Sequence, residues 1–505
     1  MKLRHNKPSI KLEGSRFRML DLARGRLALM GAFVLMVYMV LAIRIFDLSL
    51  LQYKDSPDIK VKLASKESGT EGARADIVDR NGVLLARSLK MTSLYANPSK
   101  IQAPSRTAEQ LIKIFPDLNS QSNFQAKLKS GKRFVWIQRH ISPDEMKAVL
   151  NLGDPGLAFL EEERRVYPQG RLLSHLIGYT DIDGNGIAGL EKGLDKRLKH
   201  NPEPVALTLD VQIQHLLRRE LAKSVIKHKA KAGVGLVMKV KTGEVLASIS
   251  LPDFDPNRIE DANSDQLFNR FSLGLYELGS TFKIFSTAAF LDTFDSGFET
   301  FFDVSNPIKD YGHVIRDYHG KKTVLTLPEV FIYSSNIGSA KMGEALGSRE
   351  MQTLFADLGF LDRPDVPLPE TASPLMPYPW RNINTLTASY GHGVAVTPLH
   401  FTSAAASIVN DGIYVPPSIL KNQSKDSPDL AYRIISGPAS EKIAKLLRLT
   451  VTHGTGSLAN VPGYLVGGKT GTAEKASAGG YDRKKLISSF VGVFPVTDPE
   501  YAVFI

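Results

Sequence analysis

The sequence predicts an α+β protein, an α/β sandwich in which one antiparallel sheet carries helices on its faces, preceded by a transmembrane helix and an extended module. Three observations lead there. Strand-like runs open and close residues 206–505 with a helical middle between them, the order expected of an antiparallel sheet built from both ends of a domain. An uncharged, apolar run from Leu27 to Ile43 stands near the N-terminus. Between the two, the chain mixes short alternating strands with helical pieces and many charges.

Residues 1–26 form a basic tail with eight lysines and arginines against two acids, which accounts for more than half of the formal net charge of +11. The following apolar run approaches the ~20 residues that cross a bilayer, and Arg44 can snorkel to the far interface. A cleaved signal peptide would have a shorter apolar core and a small-residue cleavage site, and "RIFDLSLLQYKD" offers none. Residues 27–48 are therefore expected to be an uncleaved anchor, with the basic tail in the cytoplasm and the rest outside. The positive charge is a topology signal, and no nucleic-acid partner is expected. The chain has no cysteine, which excludes disulfides, thiolate nucleophiles and zinc–cysteine sites. Serine, lysine and carboxylates remain for chemistry.

Residues 49–205 are expected to be a non-catalytic pedestal. Asn81-Gly82, between "DIV" and "VLLA", signals a two-residue hairpin. From residue 206 a short strand ends at Asp210 and a long amphipathic helix follows. "GVGLVMKVKTGEVLASIS" reads as a hairpin, "STAAFLDTF" as part of a buried helix, and "GYLVGGKTG", "SSFVGVFPV" and "YAVFI" as late strands. Because the run to Ile505 ends inside a strand-like segment, this domain, 206–505, is expected to be truncated at its C-terminal end.

Three motifs carry chemistry. In "GSTFKIFSTAAF", Ser280 falls in the first turn of a helix apolar nearly all round, where free N–H groups favour developing negative charge. Lys283, three residues on, shares its face and can reach back toward the serine hydroxyl. A lysine serves as base only if burial or a nearby cation lowers its pKa, so the arrangement asks for a second positive charge. The same spacing in Ser224–Lys227 falls on a polar, solvated helix. In "YSSNIGSAK", Ser334 and Asn336 read either as a helix N-cap or as a hydroxyl and amide that relay a proton and hold a substrate. Lys-Thr-Gly occurs at Lys241 and Lys469, and Lys-Ser-Gly at Lys129. Lys469 is distinguished by its apolar strand, the preceding Gly467 and Gly468, and the hydroxyls of Thr470 and Thr472, which with the ammonium can receive a carboxylate. Lys241 lies in a tight polar turn and is expected to be structural.

Ser-x-x-Lys, Ser-x-Asn and Lys-Thr-Gly in this order form a joint signature. With "DIVDRNGVLLARS", "RVYPQGRLLSHLIGYT", "GIAGLEKGLD", "KTGEVLASISLPDFDPN", "TASYGHGVAVTPLH" and "VPGYLVGGKTGTAEK", the chain resembles the class B penicillin-binding proteins, most closely FtsI-type division-specific transpeptidases. The resemblance implies a penicillin-binding transpeptidase/serine β-lactamase-like domain. It implies Ser280 as acyl-accepting nucleophile, Lys283 as general base, Ser334 as proton relay, Asn336 as orienter of the stem peptide and Lys469 as the nearby cation. Thr470 and Thr472 would bind the terminal carboxylate of a D-Ala-D-Ala donor beside Gly471, and the backbone N–H groups of Ser280 and Thr472 would form the oxyanion hole. It further implies peptidoglycan stem peptides as substrate, acylation by β-lactams, no cofactor or metal, and an FtsW-type glycosyltransferase and other divisome membrane proteins as partners at the inner membrane. An elongation-specific transpeptidase and a non-catalytic scaffold are the alternatives, and a serine β-lactamase is disfavoured by the anchor and pedestal. Ala75, Leu278 and Lys239 depart from the usual family residues without touching the proposed chemistry.

Overall fold

The computed structural model describes residues 30–32, 34–40, 74–120, 123–310, 312–318, 320–421, 431–477 and 480–505. Of the expected anchor, 30–32 and 34–40 are helical with exposed side chains, and the remainder, Arg44 included, lies outside the described residues. Among the described residues no helix is long and apolar enough to cross a membrane.

In the pedestal, β1 (Ile77–Val78) pairs antiparallel with β2 (Leu84–Ala96). The connection differs from the two-residue turn expected. Asp79 N–H donates to Val83 O and Gly82 N–H to Asp79 O, so Arg80, Asn81 and Gly82 form a three-residue loop with Gly82 in the left-handed region (φ +85°). The cause is the buried Asp79, whose Oδ1 accepts from the N–H groups of both Asn81 and Val83 and tightens the chain one residue earlier. β3 (Val135–Ile141) and β4 (Leu157–Val166) flank β2, and β5 (Val205–Ala206) runs parallel to β1. The strand expected to end at Asp210 stops at Ala206, because Asp210 is the N-cap of helix α1 (Val211–Lys227) and its carboxylate accepts from Gln212 and Ile213.

Three distant "pedestal" motifs meet in one buried ion network. Glu191, fully buried, takes Arg74 Nε at 2.5 Å on one oxygen and Arg165 Nε at 2.6 Å on the other, while Arg74 Nη1 reaches Asp195 at 2.7 Å. Removing the central carboxylate would leave the buried Arg165 guanidinium uncompensated and Arg74 with Asp195 alone. Glu191→Ala is therefore expected to lower stability by about 3–5 kcal/mol, read by urea unfolding.

The larger sheet has the order β10-β11-β12-β6-β7, antiparallel throughout, from β6 (Gly233–Lys239), β7 (Val245–Leu251), β10 (Gly467–Ser477), β11 (Gly480–Phe494) and β12 (Tyr501–Phe504). Side-chain alternation along these strands makes the sandwich. On one face Val237, Ala247, Tyr501 and Val503 pack with Ile213 and Leu217 of α1. On the other, Leu236, Met238, Ala502 and Phe504 join the main core with helices α2 (Lys283–Thr293), α5 (Pro398–Val409) and α6 (Gly437–His453). Between α2 and α5 run the small hairpin β8 (Ile308–Asp310) and β9 (His313–Ile315), then α3 (Leu327–Ile332) and α4 (Asn336–Asp357). Phe282 and Phe285 pack edge-on to one another and against Phe360 and Phe401, which anchors the start of α2 in the core.

Candidate active site

Ser280 is placed by a glycine. Residues Gly279–Phe282 form a 3₁₀ turn that leads into α2, so Ser280 stands one step ahead of the α-helix and not in its first turn as expected. Gly279 adopts φ +56°, and a Cβ on it would meet Thr472 O at 2.6 Å. Thr281 Oγ1 donates to Leu278 O at 3.0 Å and pins the tight turn. A Cβ on Gly471 would meet Leu278 O at 2.4 Å. Backbone-to-backbone contact between this turn and β10 thus sets Ser280 beside Lys-Thr-Gly.

Lys283 and Lys469 are both fully buried. Lys283 Nζ donates to Ser334 O (2.5 Å), Ser334 Oγ (3.1 Å) and Asn336 Oδ1 (2.8 Å). Three acceptors match the three donors of an ammonium, which is why its bonds go to this turn and not back to Ser280 as the spacing suggested. Lys469 Nζ donates to the same Ser334 Oγ at 3.0 Å and to Thr470 O at 3.2 Å, and lies over the Phe331 ring. Burial pushes the Lys469 amine down to about 7. Burial also holds Lys283 well below the usual lysine range, assisted by the positive charge of Lys469 and opposed by Asp317. The second amine that the sequence asked for is therefore beside Lys283, and any charge it carries lowers Lys283 further.

Ser334 has φ +61°, a left-handed conformation uncommon outside glycine. The N-cap of α4 is neither Ser334 nor Asn336 but Ser335, whose Oγ accepts from Gly338 N–H, and Asn336 is the first helical residue. That division frees Ser334 and Asn336 to face the lysines.

Along β10, Lys469, Gly471 and Ala473 are buried while Thr472 is exposed and Thr470 half-exposed, the alternation of a strand with one face in the core. Among the described residues β10 has one strand neighbour in its sheet, β11, and an extended peptide could be received along its other edge beside the Ser280 turn. Lys241 is elsewhere: exposed in the β6–β7 turn, with Gly243 at φ +67° and its ammonium 2.8 Å from Asp498. Ser224 and Lys227 are solvent-facing on α1.

Three features escaped sequence reading. Thr455 Oγ1 lies 2.6 Å from Thr470 Oγ1 and extends the row of hydroxyls. Asp317 accepts from Ser335 Oγ and Ile337 N–H. His392, between two left-handed glycines, stands with Nδ1 3.9 Å from Glu277, while a Cβ on Gly391 would meet Gly279 O at 2.1 Å. The "TASYGHG" motif contained His392, but neither Thr455 nor Asp317 sits in a pattern that separates it from an ordinary loop residue.

Residues 233–505 match the penicillin binding protein transpeptidase domain, and residues 70–212 match the penicillin-binding protein dimerisation domain. The chain is 38% identical to the "Probable peptidoglycan D,D-transpeptidase FtsI" of Caulobacter vibrioides over 85% of its own length and 74% of that protein. It is 29% identical to the peptidoglycan D,D-transpeptidase FtsI of Escherichia coli over 89% and 82% of the two chains. Among solved structures, penicillin binding protein 3 of Mycobacterium tuberculosis, complexed with aztreonam, aligns with a TM-score of 0.67 and 25% identity, covering 86% of this chain and 89% of that one. With the signature residues gathered around one buried lysine pair and both domain types matched in order, the chain belongs to the penicillin-binding protein transpeptidase family.

Proposed function

We propose that this chain is a peptidoglycan D,D-transpeptidase of the FtsI type, crosslinking stem peptides through an acyl-enzyme on Ser280. One observation carries the assignment of roles: Ser334 Oγ sits between the two buried amines, 3.1 Å from Lys283 Nζ and 3.0 Å from Lys469 Nζ. Burial lowers the Lys283 amine well below the usual lysine range, the direction that favours the neutral form a base needs. Ser280 Oγ attacks the penultimate D-Ala carbonyl while its proton goes to Lys283 Nζ. The proton passes through Ser334 Oγ to the departing amine of the terminal D-Ala, the peptide bond breaks and the Ser280 ester remains. An acceptor amine then attacks the ester, its proton returns by the same route, and a new peptide bond forms as Ser280 regains its hydrogen.

Thr470, Gly471 and Thr472, with Lys469 beneath them, receive the donor's terminal carboxylate, and Asn336 orients the stem peptide. The N–H groups of Ser280 and Thr472 stabilise the oxyanion, a reading supported by the close approach of Gly279 to Thr472 O. A β-lactam that mimics the donor acylates Ser280 in the same way. The apolar run after a basic tail supports a single-pass inner-membrane protein with its catalytic domain in the periplasm. The two matched ranges support a division into pedestal and transpeptidase near residue 205. The anchor and pedestal would recruit an FtsW-type glycosyltransferase and other divisome membrane proteins.

Digestion and mass spectrometry of the penicillin-treated protein should place one penicilloyl adduct on the peptide that contains Ser280. An adduct on another residue, or none, would overturn the assignment.

A further inference from the structure

The acyl-enzyme reading needs Ser334 to hold an unfavourable backbone conformation, and something must enforce it. A non-glycine residue at φ +61° persists only where its neighbours over-determine it. The neighbours are fixed from one side by two consecutive residues that follow β9. Asp317 Oδ2 accepts from Ser335 Oγ at 2.7 Å, and Oδ1 accepts from Ile337 N–H at 3.0 Å. Arg316 O accepts from Asn336 Nδ2 at 3.1 Å, which turns the amide so that Oδ1 faces Lys283. The segment is itself anchored, because Ile315 is buried in a cluster with Ala340, Leu386 and Tyr390. From behind, Ser334 N–H and Ser335 N–H donate to Phe331 O and Val330 O.

We infer that Asp317 is a positioning residue for acyl transfer: its two carboxylate oxygens tie down Ser335 and Ile337, the residues that follow Ser334 in the turn, and so hold Ser334 Oγ between Lys283 and Lys469. It acts chiefly through Ser335 and Ile337 and takes no proton itself, while its charge also bears on the buried Lys283 amine. A carboxylate suits the place because both partners are donors. An asparagine offers one acceptor oxygen and would turn its amide toward the other donor. An alanine offers nothing, and the turn is then free to relax toward a right-handed Ser334, carrying the hydroxyl away from one or both amines.

This assignment rests on the acyl-enzyme reading, and the test separates the two. The full chain in detergent is reacted with a fluorescent penicillin over a concentration series, as the parent, Asp317→Asn and Asp317→Ala. Limiting acylation rate, half-saturating concentration, final labelling stoichiometry and melting temperature are recorded. The limiting rate of the alanine variant is expected to fall on the order of 10²-fold, as small misplacements at a reacting centre do, with the asparagine variant between it and the parent. Half-saturation should stay within about threefold, since Asp317 does not touch the ligand. A merely structural role would lower stoichiometry or melting temperature and leave the limiting rate per labelled molecule unchanged, which overturns the inference. So would a loss confined to half-saturation. Where the alanine variant does not fold, the asparagine variant decides: a limiting rate within about threefold of the parent overturns the assignment. A parent that is not labelled at all overturns the acyl-enzyme reading instead.

Discussion

Ser280→Ala, Lys283→Met and the double variant are expected to bring penicillin acylation to one common floor, on the order of 10⁴-fold or more below the parent. In the proposed mechanism the two side chains act as a unit. Without a base Ser280 is a neutral alcohol and a poor nucleophile, and without the hydroxyl the buried amine has no proton to take. Methionine keeps the bulk of the fully buried Lys283 side chain while removing the amine, so collapse of the pocket does not confuse the result. Single-turnover labelling measures all three. Losses that multiply in the double variant would show that Lys283 acts independently of Ser280, and a Lys283→Met rate close to the parent would remove lysine as the base.

The second large effect couples activity to stability with opposite signs. Lys469→Met should lower acylation on the order of 10²–10³-fold, through loss of the amine proposed to receive the carboxylate and of its influence on Lys283. The same change should make the folded chain more stable by ~1–3 kcal/mol at neutral pH, because a buried, unpaired cation is removed and an apolar group of similar length takes its place. The sign follows from linkage. The Lys469 amine falls from 10.5 to about 7 on folding, so between those values the unfolded chain binds the proton and the folded one does not. Its contribution to stability therefore rises with pH across that window and is most unfavourable below it. Urea unfolding from pH 6 to 10 should show this rise in the parent and lose part of it in the variant. Acylation should respond as well: with the Lys469 charge gone, Lys283 holds its proton more tightly, and the rising limb of the rate profile moves to higher pH. A limb that stays in place would sever the electrostatic link between the two lysines.

The chemistry-bearing residues were legible because they come in short spacings with distinctive neighbours. Lys283, Ser334, Asn336 and Lys469 are joined by hydrogen bonds, the turn that carries Ser280 abuts Thr472, and the layered arrangement followed from the order of strand-like and helical runs. What spacing could not convey was direction across long separations. Lys283 is three residues from Ser280, yet its bonds go to residues more than fifty positions away, because only the fold reveals where three acceptors converge. Ser334 and Ser335 are chemically identical in sequence, and only a left-handed φ at the first and a cap at the second distinguish relay from scaffold. Asp317 was invisible because an aspartate in a loop is ordinary until its two oxygens are seen to tie down Ser335 and Ile337. The loop after Asp79 was misjudged for a similar reason: the Asn-Gly pair was clear, but a side chain two residues ahead of it selected the longer turn.

The insertion of β12 between β11 and β6 bears on how the protein is made. Until residues 501–504 leave the ribosome, the sheet is two separate hairpins, β6-β7 and β10-β11, each with a raw edge. No catalytic strand can be seated against the Ser280 turn by a firmly joined sheet before then. Pairing across more than 260 residues of intervening chain is slow to find, so assembly of the sheet is expected to be a concerted event that waits on β12. Without β12 in place the two hairpin edges stay exposed, and the chain depends on their protection until that strand is seated.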